Sequence, residues 1–164
     1  MRASKLSRYS WTMFDFANQP FYTLIMTFVF SVYFTDVFIT GEDGAQKLTL
    51  TQTISGVVIA ILSPVLGSIT DIKGNRKMFM GITSILFFIG MSLLWYSPPG
   101  APDGIWVVMF GLILASAMVG FSEVFNNSVL ATIETPENSG WLSGMGYGLG
   151  YISGLIALIL FLII

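Results

Sequence analysis

Five long apolar blocks constrain the fold of this chain more than any other feature of its sequence. They cover approximately residues 11–39, 50–70, 78–96, 105–133 and 141–164. A helix needs about 20 mostly apolar residues to cross the hydrocarbon core of a bilayer, and each block is about that long or longer. Stretches such as GLIALILFLII do not alternate apolar with polar residues, as the strands of an outer-membrane barrel do. The sequence therefore predicts an all-α polytopic membrane protein with five transmembrane helices.

Composition supports this class and argues against several functions. Hydrophobic residues make up 54% of the 164 residues and charged residues only 10%, which is too little polar surface for a water-soluble protein. The chain has no cysteine and no histidine, so we expect no metal site and no cofactor. A net charge of −2 offers no basic face, so we expect the lipid bilayer as a partner and no nucleic acid.

The basic residues predict the orientation in the membrane. Six of the seven lysines and arginines fall on one predicted side: Arg2, Lys5, Arg8, Lys73, Arg76 and Lys77. The positive-inside rule assigns that side, and the N-terminus with it, to the cytoplasm. The connection between the fourth and fifth blocks breaks the pattern, because it holds Glu134 and Glu137 and no base. Acidic residues contribute little to this rule, so the predicted orientation stands.

The last apolar block continues to Ile164 without a polar flank. Five spans also leave the two chain ends on opposite sides of the membrane. We therefore expect a fragment of a longer polytopic protein, with the missing spans as its partner. The alternative is a complete five-span protein.

Polar residues recur at helical spacing inside two predicted spans, at i, i+3, i+4 and i+7 in the first and at i, i+3 and i+4 in the fourth. They are Asp15, Asn18, Gln19 and Tyr22 in the first span, and Glu123, Asn126 and Asn127 in the fourth. An ionisable side chain inside a membrane is costly and usually faces a cavity or a partner. Both faces fall in the predicted cytoplasmic half, so we expect them to line a shared substrate or proton pathway.

Structural roles are the alternative for several of these side chains. Asp15 could be an interfacial charge near the positive end of its helix dipole. Asn126 and Asn127 could hydrogen-bond neighbouring helices without touching any solute. Glu123 is harder to explain in this way, because it lies several turns from either end of its span.

Glycines and prolines predict where helices pack closely or bend. The fifth span opens with a glycine-rich stretch, in which we expect Gly144, Gly146, Gly150 and Gly154 to allow close helix packing. The alternative is a surface on which helices slide or rock during transport. Pro20 and Pro64 each remove a backbone donor and can kink their helices.

The stretch GSITDIKGNRK between the second and third spans resembles the signature loop of the major facilitator superfamily. The matching residues are Gly67, Asp71, Gly74 and Arg76, and Lys77 extends the basic end. Ile72 and Asn75 stand where that pattern usually has bases. The resemblance implies a cytoplasmic gating loop that braces the two halves of a transporter.

Two further stretches, SWTMFDFANQPFYTLIMTFVFSVYF and FNNSVLATIETPENSGWLSGMGYGLGYISGL, resemble the vacuole effluxer-like branch of that superfamily. The resemblance implies a fold of two six-helix halves, of which residues 1–164 would be the N-terminal half without its sixth span. It also implies that the first and fourth spans line the central cavity. The implied solutes are amino acids or similar metabolites, exported across what we expect to be a prokaryotic inner membrane.

The sequence thus predicts a secondary transporter that works by alternating access and is coupled to protons. No phosphate-binding P-loop is present that would indicate ATP drive. Glu123 and then Asp15 are the predicted proton or substrate carboxyls, and the neighbouring amides and Tyr22 would hydrogen-bond the solute. The alternative is a non-transporting five-span scaffold or assembly subunit. An intramembrane enzyme using Asp15 and Glu123 as an acid pair is a weaker hypothesis, and we expect no enzymatic activity.

Overall fold

The computed structural model describes residues 4–100 and 102–164, except for the side chains of Asp71, Lys73 and Pro102. Every regular element in this part of the chain is helical. The α-helices are α1 (Lys5–Pro20), α2 (Phe30–Tyr33), α3 (Glu42–Lys73), α4 (Arg76–Leu93), α5 (Ile105–Ile133) and α6 (Pro136–Ile163). Wider π-helical turns cover Phe21–Phe28 and Phe34–Phe38, and short 3₁₀ turns cover Leu94–Tyr96 and Pro102–Gly104.

Five helical segments are long and apolar enough to cross a membrane. They are Lys5–Phe38, Glu42–Thr70, Arg76–Tyr96, Ile105–Ile133 and Pro136–Ile163. The predicted fold class, an all-α polytopic membrane protein with five such helices, is confirmed. Four of the five segments begin before their predicted starts, because the apolar pattern marks the membrane-buried part of a helix while the backbone continues into polar turns.

The ends of three helices have local causes in the sequence. Ser4 caps α1, since its side chain accepts a hydrogen bond from the Ser7 amide at 3.2 Å. Gly74 ends α3 in the left-handed conformation, with φ of 66°, and its amide donates to the Thr70 carbonyl at 3.0 Å. Pro136 begins α6, where its missing amide hydrogen costs nothing.

The two prolines inside predicted spans have different surroundings. Pro20 is the last residue of α1, and the backbone widens into π-helical turns directly after it. α3, in contrast, continues as an α-helix through Pro64.

The chain divides into two compact units. The terminal unit consists of Met1–Ser31 and Asn126–Ile164, and the central unit is Val32–Phe125. In the terminal unit, the buried side chains of Trp11, Ile133 and Leu142 form a core against which further apolar side chains pack. The central unit has its own core.

The core of the central unit is built on one face of α5. Ala117, Phe121 and Phe125 are buried there and pack against apolar residues of α3 and α4. The rings of Phe79 and Phe125 have centroids 5.8 Å apart. A hydrogen bond of 2.7 Å between the hydroxyls of Thr83 and Ser122 joins α4 to α5 beside this core.

Glycines bring α4 and α5 into backbone contact. A Cβ atom added at Gly90 would stand 2.8 Å from both the Gly111 carbonyl oxygen and the Ala115 amide nitrogen. Backbone atoms cannot rotate aside as a side chain can, so this contact requires glycine. Gly81, on the same helix, has no described heavy atom within 4 Å of its added Cβ.

Replacing Gly90 should therefore destabilise the central unit. We expect Gly90→Ala to lower the free energy of unfolding by about 1–3 kcal/mol, the usual cost of overpacking a tight contact. Gly81→Ala is the matched control and should leave that free energy unchanged or raise it by up to about 1 kcal/mol. Circular dichroism during an SDS titration in mixed micelles measures both, and equal losses would contradict the close α4–α5 contact.

Candidate functional site

The polar face of α1 lies against the glycine face of α6 in the terminal unit. A Cβ atom added at Gly146 would stand 2.8 Å from Asp15 Oδ2 and 3.3 Å from the ring of Trp11. One turn further, a Cβ at Gly150 would stand 3.5 Å from the Asp15 Cβ. The half-buried Asp15 side chain therefore rests on a stretch of α6 that has no side chains of its own.

The same contact continues towards the π-helical turns. A Cβ at Gly154 would stand 2.5 Å from Thr23 Oγ1 and 3.2 Å from Gln19 Cγ. Gly146, Gly150 and Gly154, which the sequence predicts to pack, thus face α1 and the turns that follow it. Gly144, predicted with them, has no described heavy atom within 4 Å of its added Cβ.

A hydrogen bond from α6 replaces the one that Pro20 cannot make. Proline has no amide hydrogen, so Pro20 cannot donate to the Phe16 carbonyl four residues before it. The Ser153 hydroxyl donates to that carbonyl at 2.5 Å, and Ser153 is buried between Gly150 and Gly154. The proline break in α1 and the small-residue face of α6 therefore depend on each other.

Two buried amide nitrogens near this contact have no hydrogen-bond acceptor among the described residues. They are Nδ2 of Asn18 on α1 and Nδ2 of Asn126 on α5. Asn126 is only 5% exposed, and its backbone carbonyl accepts a 2.7 Å hydrogen bond from the Trp11 indole nitrogen. Buried donors without acceptors are costly, so these amides suit an acceptor such as a carboxylate, a carbonyl or water.

A groove of about 310 Å³ opens beside the contact between the π-helical turns and α6. Its lining combines five polar side chains with apolar ones and, among the described residues, contains no carboxylate, lysine or arginine. The polar residues are Gln19, Tyr22, Thr23, Thr27 and Tyr151, and the others are Phe28, Gly154, Leu155 and Leu158. π-Helical turns are rare and often occur at functional sites. The groove therefore places amide and hydroxyl groups opposite an apolar wall.

Gln19 and Tyr22 were predicted from the sequence, whereas Thr23, Thr27 and Tyr151 were not. The sequence does contain a pattern that could have identified the threonines, because Thr23 and Thr27 continue the four-residue spacing of Asp15 and Gln19. Tyr151 had no such signal. It is recognisable only once α6 is seen to lie beside the first segment.

The remaining predicted pathway residues lie on α5. Asn127 is exposed on the terminal unit, and Glu123 is partly buried in the central unit. That Glu123 and the α1 face line one pathway stays a prediction.

The signature-like loop lies in the central unit. Gly74 provides its left-handed turn, and a Cβ added at Gly67 would be 3.7 Å from Val124 of α5. Arg76 is partly buried and Lys77 is exposed, while the Asp71 side chain lies outside the described part of the chain. The gating role of this loop stays a prediction.

Sequence analysis missed an ion pair between Arg8 and Glu134. The Glu134 side chain is fully buried and pairs with Arg8, and its Oε1 accepts a 3.1 Å hydrogen bond from the Thr135 amide. This pair joins the start of α1 to the α5–α6 connection, so both lie at the same end of the terminal unit. Glu134 had looked like an exception to the charge pattern because its base is distant in the sequence.

The fold and these contacts define an all-α membrane protein with polar groups between its apolar helices. The chain is similar to an uncharacterized MFS-type transporter, YxiO, of Bacillus subtilis (strain 168), with 29% identity over 157 residues, 92% of this chain and 36% of the relative. An uncharacterized protein of Aquifex aeolicus (strain VF5) is 32% identical over 140 residues, 84% of this chain and 34% of the relative.

The chain thus spans about a third of the length of these curated relatives. No protein-family model matches it, and no solved structure matches it. The similarity to YxiO supports a relationship to the major facilitator superfamily and a location in a membrane. It supports no particular branch of that superfamily.

The bond between Ser153 and Phe16 can be tested with a double-mutant cycle. We expect Ser153→Ala to lower the free energy of unfolding by about 1–3 kcal/mol, because the Phe16 carbonyl loses its donor. Pro20→Ala restores an amide hydrogen at position 20, so in that background the cost of Ser153→Ala should fall by at least ~0.5 kcal/mol. SDS titration of the four proteins measures this coupling.

Ser143→Ala is the matched control, since Ser143 lies exposed on the same helix. It should change the free energy of unfolding little in either background. If the effects of Pro20→Ala and Ser153→Ala simply add, the serine does not compensate for the proline.

Proposed function

We propose that the chain belongs to the major facilitator superfamily and forms part of a secondary transporter for a small polar solute. The observation that carries this proposal is the similarity to an MFS-type transporter over 92% of the chain. Transport by alternating access agrees with apolar membrane-length helices that carry polar side chains at some of their contacts. On this proposal the protein is a non-enzymatic permease. We also propose the vacuole effluxer-like branch, for which the sequence resemblance described above is the support.

The groove beside α6 supports a role for polar side chains in solute binding. Its volume of about 310 Å³ is at the small end of the range for ligand pockets. Gln19 and Tyr22 would hydrogen-bond the solute there, with Thr23 and Tyr151 as additional partners. Asn18 and Asn126 would donate their unused amide hydrogens to an acceptor on the solute or to water.

The carboxyls would couple solute movement to protons. A Cβ atom added at Gly146 would lie 2.8 Å from Asp15 Oδ2, so the Asp15 carboxyl lies directly against the backbone of α6. Proton binding would remove a charge from this contact and so change how tightly α1 rests on α6. Glu123 is the first candidate for the coupling carboxyl, because it lies several turns from either end of α5.

The proposed solute and direction come from the family resemblance. We propose an amino acid or a metabolite of similar size, moved out of the cell. The polar side chains of the groove lining are amide and hydroxyl groups, which supports a solute whose bound part carries hydroxyl, amide or carbonyl groups. The cytoplasmic gating role of Gly67, Asp71, Gly74, Arg76 and Lys77 belongs to the same proposal.

Replacing Glu123 tests the proposed coupling. The complete product of the gene would be reconstituted in liposomes containing a pH-sensitive dye, and a mixture of the twenty L-amino acids would be added outside. We expect solute-dependent proton movement in the unmodified protein and none with Glu123→Gln, because an amide cannot carry the proton.

Glu42→Gln serves as the matched control, since Glu42 is exposed in the first turn of α3. It should transport as the unmodified protein does. Unchanged proton movement with Glu123→Gln would remove Glu123 from the mechanism. No proton movement in the unmodified protein would contradict proton-coupled amino-acid transport.

A further inference from the structure

We propose that a pocket at the start of α1 and α6 binds the phosphodiester group of an anionic phospholipid. The pocket has a volume of about 150 Å³ and lies entirely within the terminal unit. Its lining combines two basic residues with aromatic and apolar ones: Lys5, Arg8, Tyr9, Trp141, Leu142 and Met145. This site is separate from the polar groove and does not depend on the proposed transport.

The charges of the pocket match a ligand with one negative charge. Lys5 and Arg8 are three residues apart on α1, so their side chains share one face of the helix. The buried carboxylate of Glu134 pairs with Arg8 and neutralises one of the two positive charges. The charge left for a ligand is therefore that of one cation, and a phosphodiester is a monoanion.

Glu137 does not change this balance at short range. It lies exposed in the first turn of α6 and does not line the pocket.

Hydrogen-bond donors for such an anion are unused. Arg8 Nε is buried and has no acceptor among the described residues, even though the same guanidinium pairs with Glu134. Lys5 is exposed and has no ion-pair partner in the described part of the chain. A guanidinium edge beside an ammonium group is an arrangement that binds phosphate oxygens well.

The other residues of the pocket favour a lipid over a free anion. Tyr9 is 60% and Trp141 is 67% exposed, and such aromatic rings prefer the level of the lipid headgroups. The side chains of Leu142 and Met145 add an apolar floor that suits the glycerol end of an acyl chain. Both helices begin here and continue as membrane-length segments, so the pocket lies at the expected depth of a headgroup.

Lipid binding can be measured by native mass spectrometry of the full chain in detergent. The probes are phosphatidylglycerol, phosphatidylcholine with the same acyl chains, and inorganic phosphate. We expect the unmodified protein to bind phosphatidylglycerol more tightly than phosphatidylcholine. Lys5→Gln should raise the apparent dissociation constant for phosphatidylglycerol about fivefold, the effect of losing one cation near a lipid headgroup.

Lys47→Gln is the matched control, because Lys47 lies near the start of α3 and outside this pocket. It should bind phosphatidylglycerol as the unmodified protein does. Lys5 forms no ion pair in the described part of the chain, so in phosphatidylcholine Lys5→Gln should unfold at the same temperature as the unmodified protein. This measurement distinguishes a loss of lipid binding from misfolding.

Three results would overturn the proposal. Equal affinity for the two lipids would show that the headgroup charge is not recognised. An unchanged dissociation constant with Lys5→Gln would show that the anionic lipid binds elsewhere. Inorganic phosphate that competes fully with phosphatidylglycerol at equal concentration would identify a free-anion site instead of a lipid site.

Discussion

A helix inside a membrane must satisfy its backbone amide and carbonyl groups within the protein, because lipid tails offer no hydrogen-bonding partner. The terminal unit shows what this constraint requires when a span contains a proline. Pro20 cannot donate to the Phe16 carbonyl, and Ser153 of α6 donates to it at 2.5 Å. That bond is possible only because Gly150 and Gly154 allow α6 to approach α1 closely. The proline break in α1 and the packing of α6 against α1 are therefore linked through this hydrogen bond.

The same close approach determines where the polar groups of α1 can act. Asp15 rests on Gly146 and Gly150, and the groove beyond Gly154 exposes hydroxyl and amide groups to a space that could hold a small solute. The proposed transport would need polar groups at membrane depth together with contacts that can change. The first segment supplies the polar groups, and the glycine contacts suit the second need because they are tight without interlocking side chains. The buried pair of Arg8 and Glu134 holds the other end of the terminal unit, and removing one member of such a pair usually costs several kcal/mol.

Much of the fold could be predicted from the sequence because it depends on local patterns. Five apolar blocks predicted five membrane-length helices. The glycine spacing indicated close packing somewhere along α6 but not which of its faces meets α1. Contacts between residues far apart in the sequence could not be predicted. Nothing in the sequence indicates that Arg8 pairs with Glu134, that Ser153 compensates for Pro20, or that Tyr151 lines the groove. Each depends on which helices are neighbours, and periodicity within one helix does not contain that information.

The contact between α1 and the glycine face of α6 is the central claim, and disulfide cross-linking tests it directly. The chain has no cysteine, so pairs can be introduced without a background. A Cβ at Gly150 would be 3.5 Å from that of Asp15, within the range of about 3.5–4.5 Å that a disulfide requires. In membranes, oxidation should cross-link Asp15→Cys with Gly150→Cys efficiently and Asp15→Cys with Gly148→Cys poorly. Equal yields for the two pairs, or no cross-link with Gly150→Cys, would contradict the account.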